Sequence, residues 1–242
     1  MWDEAALRDP HGQPDKAQRV AAMFDAIACT YEAVNTVASL GRDAAWRRLA
    51  VAAADVRPGD VVLDICCGTG DMLRAFGRAH PGITRLIGVD FATGMLRRAK
   101  CPPKPHADLL RADALRLPLA DASVDVISCA FGVRNFGHLQ AGLDEMARVA
   151  KPGARVVILE FAMPDHPPWR WACRWYCQVI LPRLGAWVSG ERCGAYRYLA
   201  RSIAMFPKAS ELAELLRAAG FVRVTLRRLN FGVVVLYRAL RP

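Results

Sequence analysis

Three acids punctuate the first half of the chain at the ends of apolar runs: Asp64 in VVLDICCGTGDML, Asp90 in RLIGVD and Asp113 in ADLLRAD. Asp64 is followed by Gly68-Thr69-Gly70, at the spacing D-x-x-x-G-x-G. Glycines at such a point let the chain turn sharply out of a strand and let a ligand approach the backbone. A dinucleotide loop, G-x-G-x-x-G, sets a pyrophosphate on a helix N-terminus. Here Leu73 stands where its third glycine would be, and an acid at the loop entrance repels phosphate. A ligand with an amino group and a sulfonium is attracted instead, which points to S-adenosylmethionine rather than NAD. Asp90 can accept ribose hydroxyls, and Asp113-Ala114 can meet an adenine edge. Each acid alone is also an ordinary helix cap. Three at successive strand ends are expected to converge on one crevice at the carboxyl edge of a sheet.

The elements that must position these acids follow from periodicity. From Val61, short apolar runs alternate with helix-like or turn segments: VVLDI, RLIGVD, ADLLRAD, VDVISCA and ARVVILEF. Such alternation predicts a parallel sheet covered on both faces. KPGAR (151–155) reads as the turn into the fifth strand. KASELAELLRAAGF predicts an amphipathic helix closed by Gly220, before two strand-like runs, VRVTLRRL and GVVVLYRAL, that can pair antiparallel at an edge. The whole is an α/β, Rossmann-like, mostly parallel seven-stranded sheet with helices on both faces. It is one domain over 1–242. Residues 15–54 form an N-terminal helical flank of two helices, KAQRVAAMFDAIA and AAWRRLAVAAADV, and 164–207 an inserted lid.

Composition narrows the class. Hydrophobic residues make up 53% and charged residues 23%, as in a globular chain with a real core. No apolar run is long enough to span a bilayer, and MWDEAALRDP has acids where a secretory leader has a basic start. A cytoplasmic protein is expected. Of the net +10, residues 164–242 carry 13 Lys/Arg against 4 Asp/Glu, so the excess lies in the last third. That asymmetry suits an anionic surface, or merely solvated helices. The eight cysteines form no CxxC pair. Cys173 and Cys177 share a helix face with Cys193 nearby, a weak metal signal, and no metal site is expected. Cys66-Cys67 read as small packers at a tight turn.

VLDICCGTGDM, RADALRLPLADASVDVISCAFGVRN and ARVAKPGARVVILEF resemble the motifs of the quinone-biosynthesis C-methyltransferases. The likeness extends through YEAVNTVASLGRDAAW and YRYLARSIAMFPKASELAELLRAAGF, over about residues 15–240. It implies a class I S-adenosylmethionine-dependent methyltransferase that methylates a prenylated quinol ring. Demethylmenaquinol to menaquinol is the first choice. Ubiquinone-pathway benzoquinol methylation and a phospholipid or secondary-metabolite methyltransferase are the alternatives. By position, cofactor contacts fall on Thr69, Asp90, Asp113 and Ala114. Asp64, Gly68, Gly70, Phe91 and Ala130 complete the expected set. The chain departs from the family pattern at Glu32, Val34, Asp43, Ala130, Ala154 and Ala162, and at Cys66-Cys67 where the family often has Ala-Gly.

A ring carbon is a poor nucleophile until an adjacent hydroxyl ionises, so the quinol and not the quinone is the expected acceptor. Arg134 and Asn135, in FGVRNFGH after the fourth strand, are the expected catalytic pair: the guanidinium lowers the hydroxyl pKa and holds the phenolate. His138 is a rival base. Tyr31 and Asn35 are candidates to cover the cofactor or touch the ring, as is Tyr196 from the lid. The segment 169–187, WRWACRWYCQVILPRLGAW, interleaves Trp with Arg and suits peripheral contact with the inner face of a membrane, or a closing lid. Nucleic acid is not an expected partner, because no Asn/Asp-Pro-Pro-aromatic motif follows the fourth strand. Oligomeric state stays open, with a homodimer among the options.

Overall fold

The computed structural model describes residues 2–181, 183 and 194–242. Seven strands form a single sheet in the order β3-β2-β1-β4-β5-β7-β6. They are β1 (Val61–Ile65), β2 (Arg85–Asp90), β3 (Ala107–Arg111), β4 (Val124–Ala130), β5 (Ala150–Phe161), β6 (Val222–Leu229) and β7 (Val234–Leu240). The first five are parallel, and β7 runs antiparallel between β5 and β6. The two terminal runs do pair with each other, and β6 is the edge.

Alternation along the central strands divides the apolar residues between two cores. Leu63, Ile65, Ile87, Val89, Ile127, Val156 and Ile158 face α6 (Leu139–Val149) and α9 (Ala209–Ala218). Val62, Leu86, Val126, Val157 and Leu159 face α3 (Asp43–Ala53) and α4 (Asp71–Ala79). Burial on both faces is why these strands read as near-continuous apolar runs. Glu211 accepts a bond from the Lys208 N–H at the start of α9, and Gly220 follows its end at φ +89°, the stop its sequence predicts.

The flank differs from expectation. Three helices, not two, cover it: α1 (Lys16–Ile27), α2 (Tyr31–Ala38) and α3. The segment YEAVNTVA is too short and too β-branched to be helical alone, but Val34 is buried and tertiary packing holds the turn. Leu40 and Gly41, both at positive φ, end it. KPGAR is likewise not a turn ahead of β5 but a register shift inside it, with Gly153 at φ +79°. In the lid, α7 (Pro167–Trp175) runs into a π-helical turn, Tyr176–Ile180, and α8 (Ala195–Met205) follows. Trp187, Cys193 and part of the 169–187 segment lie outside the described residues. A short α5 (Thr93–Leu96) follows β2.

The twin cysteines pack the loop after β1. Cys67 is buried and its N–H bonds the Val89 carbonyl at 3.0 Å. Cys66 takes φ +57° and presses on Gly132, where an added Cβ would lie 2.6 Å from the Cys66 Cβ and 2.7 Å from the Cys129 Sγ. Gly132→Ala is therefore expected to destabilise the protein by about 1–3 kcal/mol in urea titrations. Adding Cys66→Gly should restore part of that loss, since glycine tolerates φ +57° and removes one obstruction. A neutral Gly132→Ala would refute this packing.

Candidate functional site

β1 lies between β2 and β4, so the chain reverses its direction of sheet growth there, and a crevice opens at the carboxyl ends. Gly68, Asp90, Phe91, Asp113, Ala114, Ala130 and Asn135 line it, while α1 and Tyr31 cover it from the other side. The Asp90 carboxylate stitches two loops together: Gly68 N–H and Ala92 N–H each donate to one of its oxygens at 2.8 Å. Burial raises its pKa. Each oxygen keeps a second lone pair toward the crevice. Asp113 accepts the Leu115 N–H at 3.0 Å through one oxygen, leaving the other. Two carboxylates, the Phe91 ring and the apolar Met95, Ala114 and Phe136 thus bound one space, a set that fits a nucleoside carrying positive charge.

The third acid is placed elsewhere. Asp64 is 1% exposed, is not among the crevice-lining residues, and accepts the Ser128 hydroxyl at 2.6 Å. Burial pushes its pKa up to about 7. Thr69 and Gly70 also stand behind the wall. The Thr69 carbonyl accepts from Lys100 N–H at 3.0 Å, and a Cβ on Gly70 would come within 2.7 Å of the Lys100 carbonyl oxygen. These three residues build the loop that Gly68 presents.

A second, larger cavity of about 480 Å³ abuts the crevice. Phe24, Tyr31 and Phe131 line both. Its walls are apolar, from Trp46, Phe161 and Trp169 to Cys173 and Cys177, with Asn35 and Tyr196 among them. Its charges are chiefly two buried arginines. Arg134 Nη1 donates to Glu160 Oε1 at 2.8 Å and to the Phe131 carbonyl at 2.6 Å, and the Arg134 N–H donates to Glu160 Oε2 at 3.2 Å. Burial acts to lower the Arg134 pKa, but Glu160 and neighbouring tyrosines more than offset it, and the net shift is upward. Arg47 reaches Asp71 at 3.3 Å and lies over the Phe131 ring. Among the described residues the Nε–H of each arginine, itself buried, has no hydrogen-bond partner.

Sequence reasoning thus found Arg134 and missed its pairing with Glu160. It missed Arg47 altogether, although a charge on the Trp46, Ala50, Val51 face of α3 is a readable signal. Asn135 is held by the Tyr198 hydroxyl, which donates to its Oδ1 at 2.9 Å. His138 instead caps α6, Nδ1 accepting from the Ala141 N–H at 3.2 Å, and lines neither cavity. Tyr31, its hydroxyl pKa raised by burial, stands where the two spaces meet. Glu32 beside it reaches Arg74 and Lys100, each at 3.3 Å, which ties α2 to the cofactor-side loop.

The site loop has one further tether. Lys16, on the buried face of α1, donates to the Arg134 carbonyl at 2.9 Å and the Phe136 carbonyl at 2.6 Å. His11 Nδ1 lies 3.1 Å away, and His11 Nε2 reaches the Ser202 carbonyl of α8 at 3.0 Å. Burial, then the nearby Arg134, lowers the Lys16 pKa to about 8.

Comparison with known proteins agrees with this geometry. The model of the ubiE/COQ5 methyltransferase family matches residues 13–241. A protein of Deinococcus radiodurans named demethylmenaquinone methyltransferase is 43% identical over 95% of this chain and 95% of its own. One of the same name from Thermobifida fusca is 41% identical over 94% of this chain and 97% of its own. Among solved structures, a SAM-dependent methyltransferase of Thermotoga maritima aligns with TM-score 0.63 at 19% identity, covering 92% of this chain and 99% of its own. One from Aquifex aeolicus aligns with TM-score 0.59 at 17% identity, covering 87% and 98%. The structural matches establish the fold, a seven-stranded, mostly parallel sheet flanked by helices.

The tether makes a pH-dependent prediction. Between about 8 and the ordinary 10.5 the unfolded chain holds the Lys16 proton and the folded chain does not. Wild-type stability relative to Lys16→Met should therefore rise with pH across that window, by on the order of 1 kcal/mol or more. Urea titrations of both proteins at several pH values would check it, and parallel curves would refute it.

Proposed function

Since the chain belongs to the ubiE/COQ5 methyltransferase family, we propose that this S-adenosylmethionine-dependent enzyme methylates the ring of demethylmenaquinol to give menaquinol, holding the prenyl tail in the large apolar cavity. One observation carries the reading beyond the relatives' names. A cavity of about 480 Å³, mostly apolar, with Arg47 and Arg134 buried in its wall and Arg42 and Asp43 also lining it, shares three lining residues with the crevice. An aromatic diol with a long tail has that shape and that polarity.

When bound, the cofactor supplies an electrophilic methyl group. In this reading Gly68, Asp90, Phe91, Asp113, Ala114 and Ala130 hold it, with Asp64, Thr69 and Gly70 shaping the loop beneath. The chain's other task is to make a ring carbon nucleophilic. In this reading the positive guanidinium groups of Arg134 and Arg47, which line the cavity, favour the ionised form of the quinol hydroxyl, and water takes the proton. Once the new bond forms, the ring carbon loses its hydrogen as a proton and aromaticity returns. Tyr31 and Phe131 hold the ring edge-on to the crevice, while Asn135, fixed by Tyr198, completes the wall. Positioning and electrostatics supply the rate, as suits an in-line displacement.

Peripheral seating on a membrane fits the same substrate. Among the described residues no helix is long and apolar enough to cross a bilayer. Leu40, Trp169 and Phe231 nevertheless line the cavity while 85%, 46% and 70% exposed, so the mouth itself is apolar. A tail drawn from a bilayer could enter there.

Methyl-labelled S-adenosylmethionine offered with demethylmenaquinol, a demethylated benzoquinol or phospholipid tests the assignment. Label should appear in menaquinol. Labelled phospholipid or benzoquinol, with menaquinol unlabelled, would replace it. Arg134→Lys keeps the positive charge but loses the planar guanidinium that Glu160 and the Phe131 carbonyl orient, and should lower kcat by roughly tenfold to a hundredfold with cofactor affinity unchanged in calorimetry. Full turnover in that variant would remove the Arg134 role. Asp90→Asn should do the opposite, weakening cofactor binding by roughly tenfold to a hundredfold while kcat at saturation holds. An unchanged dissociation constant would sink the Asp90 role.

A further inference from the structure

A third space, of about 470 Å³, lies on the far side of the α7 wall. Arg8 from the short helical turn Ala6–Arg8, Arg174 from α7, and Arg197 and Arg201 from α8 all line it. Among the described residues the one acid on its wall is Glu4, 3.4 Å from Arg197 with its side chain 92% exposed. Among the described residues, Arg8, Arg174 and Arg201 have no carboxylate partner. Ala200 and Ala204 keep the floor between the two α8 arginines low. The cleft is built for an anion and is too shallow in acids to be self-neutralised.

Its neighbours say which anion. Trp171 lies one turn before Arg174 on α7, and Trp175 one turn beyond Trp171. The two rings are 72% and 50% exposed, on the side of α7 away from the substrate cavity. Indole rings beside a guanidinium group, on the same helix whose Trp169 lines the apolar mouth, match the boundary between headgroups and acyl chains. We propose that the Arg8, Arg174, Arg197 and Arg201 cleft binds the phosphate headgroup of an anionic phospholipid in a bilayer, seating the cavity mouth against the acyl chains that hold the substrate. This rests on the reading of a prenylated substrate drawn from a membrane, and adds to it a discrete headgroup site outside the reacting centre.

The test is co-sedimentation of the full chain with vesicles of phosphatidylcholine alone or mixed equally with phosphatidylglycerol. Binding is expected to the mixed vesicles only. Arg174→Glu with Arg201→Glu should lower it by at least about tenfold, since each basic group near an anionic surface counts separately. The same reversal at Arg223 and Arg227, on the edge strand β6, should change it by less than about threefold. Turnover of a short-tailed, water-soluble quinol should be unaffected in the cleft variant. Equal losses from both pairs would show a diffuse charge effect and overturn the site. Loss on Trp171→Ala with Trp175→Ala, but none on reversing the cleft, would keep membrane seating and overturn the headgroup site. No binding to either vesicle by a protein that still methylates soluble quinol would overturn both, and leave the enzymatic reading intact.

Discussion

The arrangement depends on a buried ion pair at the tips of β4 and β5. Arg134 and Glu160 are 5% and 1% exposed, and the guanidinium and backbone N–H of the arginine both reach the same carboxylate. Desolvating two charges costs several kcal/mol each, and replacing such a pair by apolar side chains often leaves a protein as stable or more so. Its presence is therefore poorly explained by stability, and the proposed role in the reaction would account for it. Glu160 and the Phe131 carbonyl fix the guanidinium of a residue that lines the cavity. Lys16 holds the same short loop from behind by its carbonyls, and Tyr198 holds Asn135. A charge immobilised on this scale acts without reorganising when negative charge develops nearby.

Around that pair the protein has two adjoining spaces, which the proposed reading assigns to two ligands. The crevice uses backbone and carboxylates at strand ends, as open α/β sheets do generally. The cavity uses the added parts: the N-terminal helices, the lid and the turn at Asn230–Gly232. Phe24, Tyr31 and Phe131 are common to both, and in the proposed reading donor and acceptor meet there. Helix α1 serves twice, lining the crevice with Phe24 and anchoring the loop of residues 134–136 with Lys16. Its fixation by the Gly94 N–H, which donates to Asp25 at 2.5 Å, links cofactor-side and substrate-side order.

The sheet was legible because its information is local. Residues buried on both faces must be apolar, and β1 to β5 show that as runs. The crevice followed from the same logic, and Asp90, Asp113, Ala114 and Gly68 line it. Asp64 did not, because a strand alternates its faces and one residue's offset from the loop decides whether an acid meets the ligand or Ser128. The second cavity was illegible for a related reason. It is made of side chains more than 100 positions apart, and Glu160 meets Arg134 only because β4 and β5 are neighbours. Even so, Arg47 and Lys16 carried a signal. Each puts a positive charge on the apolar stripe of an amphipathic helix, which only a buried partner can reconcile. Helix α2 carried none, since packing and not propensity makes it helical.

The central claim is that the cavity favours the ionised form of an aromatic hydroxyl. It can be read directly by titrating a prenylated naphthol, a fluorescent mimic unable to change redox state, in the ternary complex with S-adenosylhomocysteine. Bound naphthol should ionise at least about one pH unit below the free compound, the mark of a cationic site that outweighs burial. A bound pKa equal to or above the free value would mean that apolar burial wins, and that the arginines do not serve the reaction.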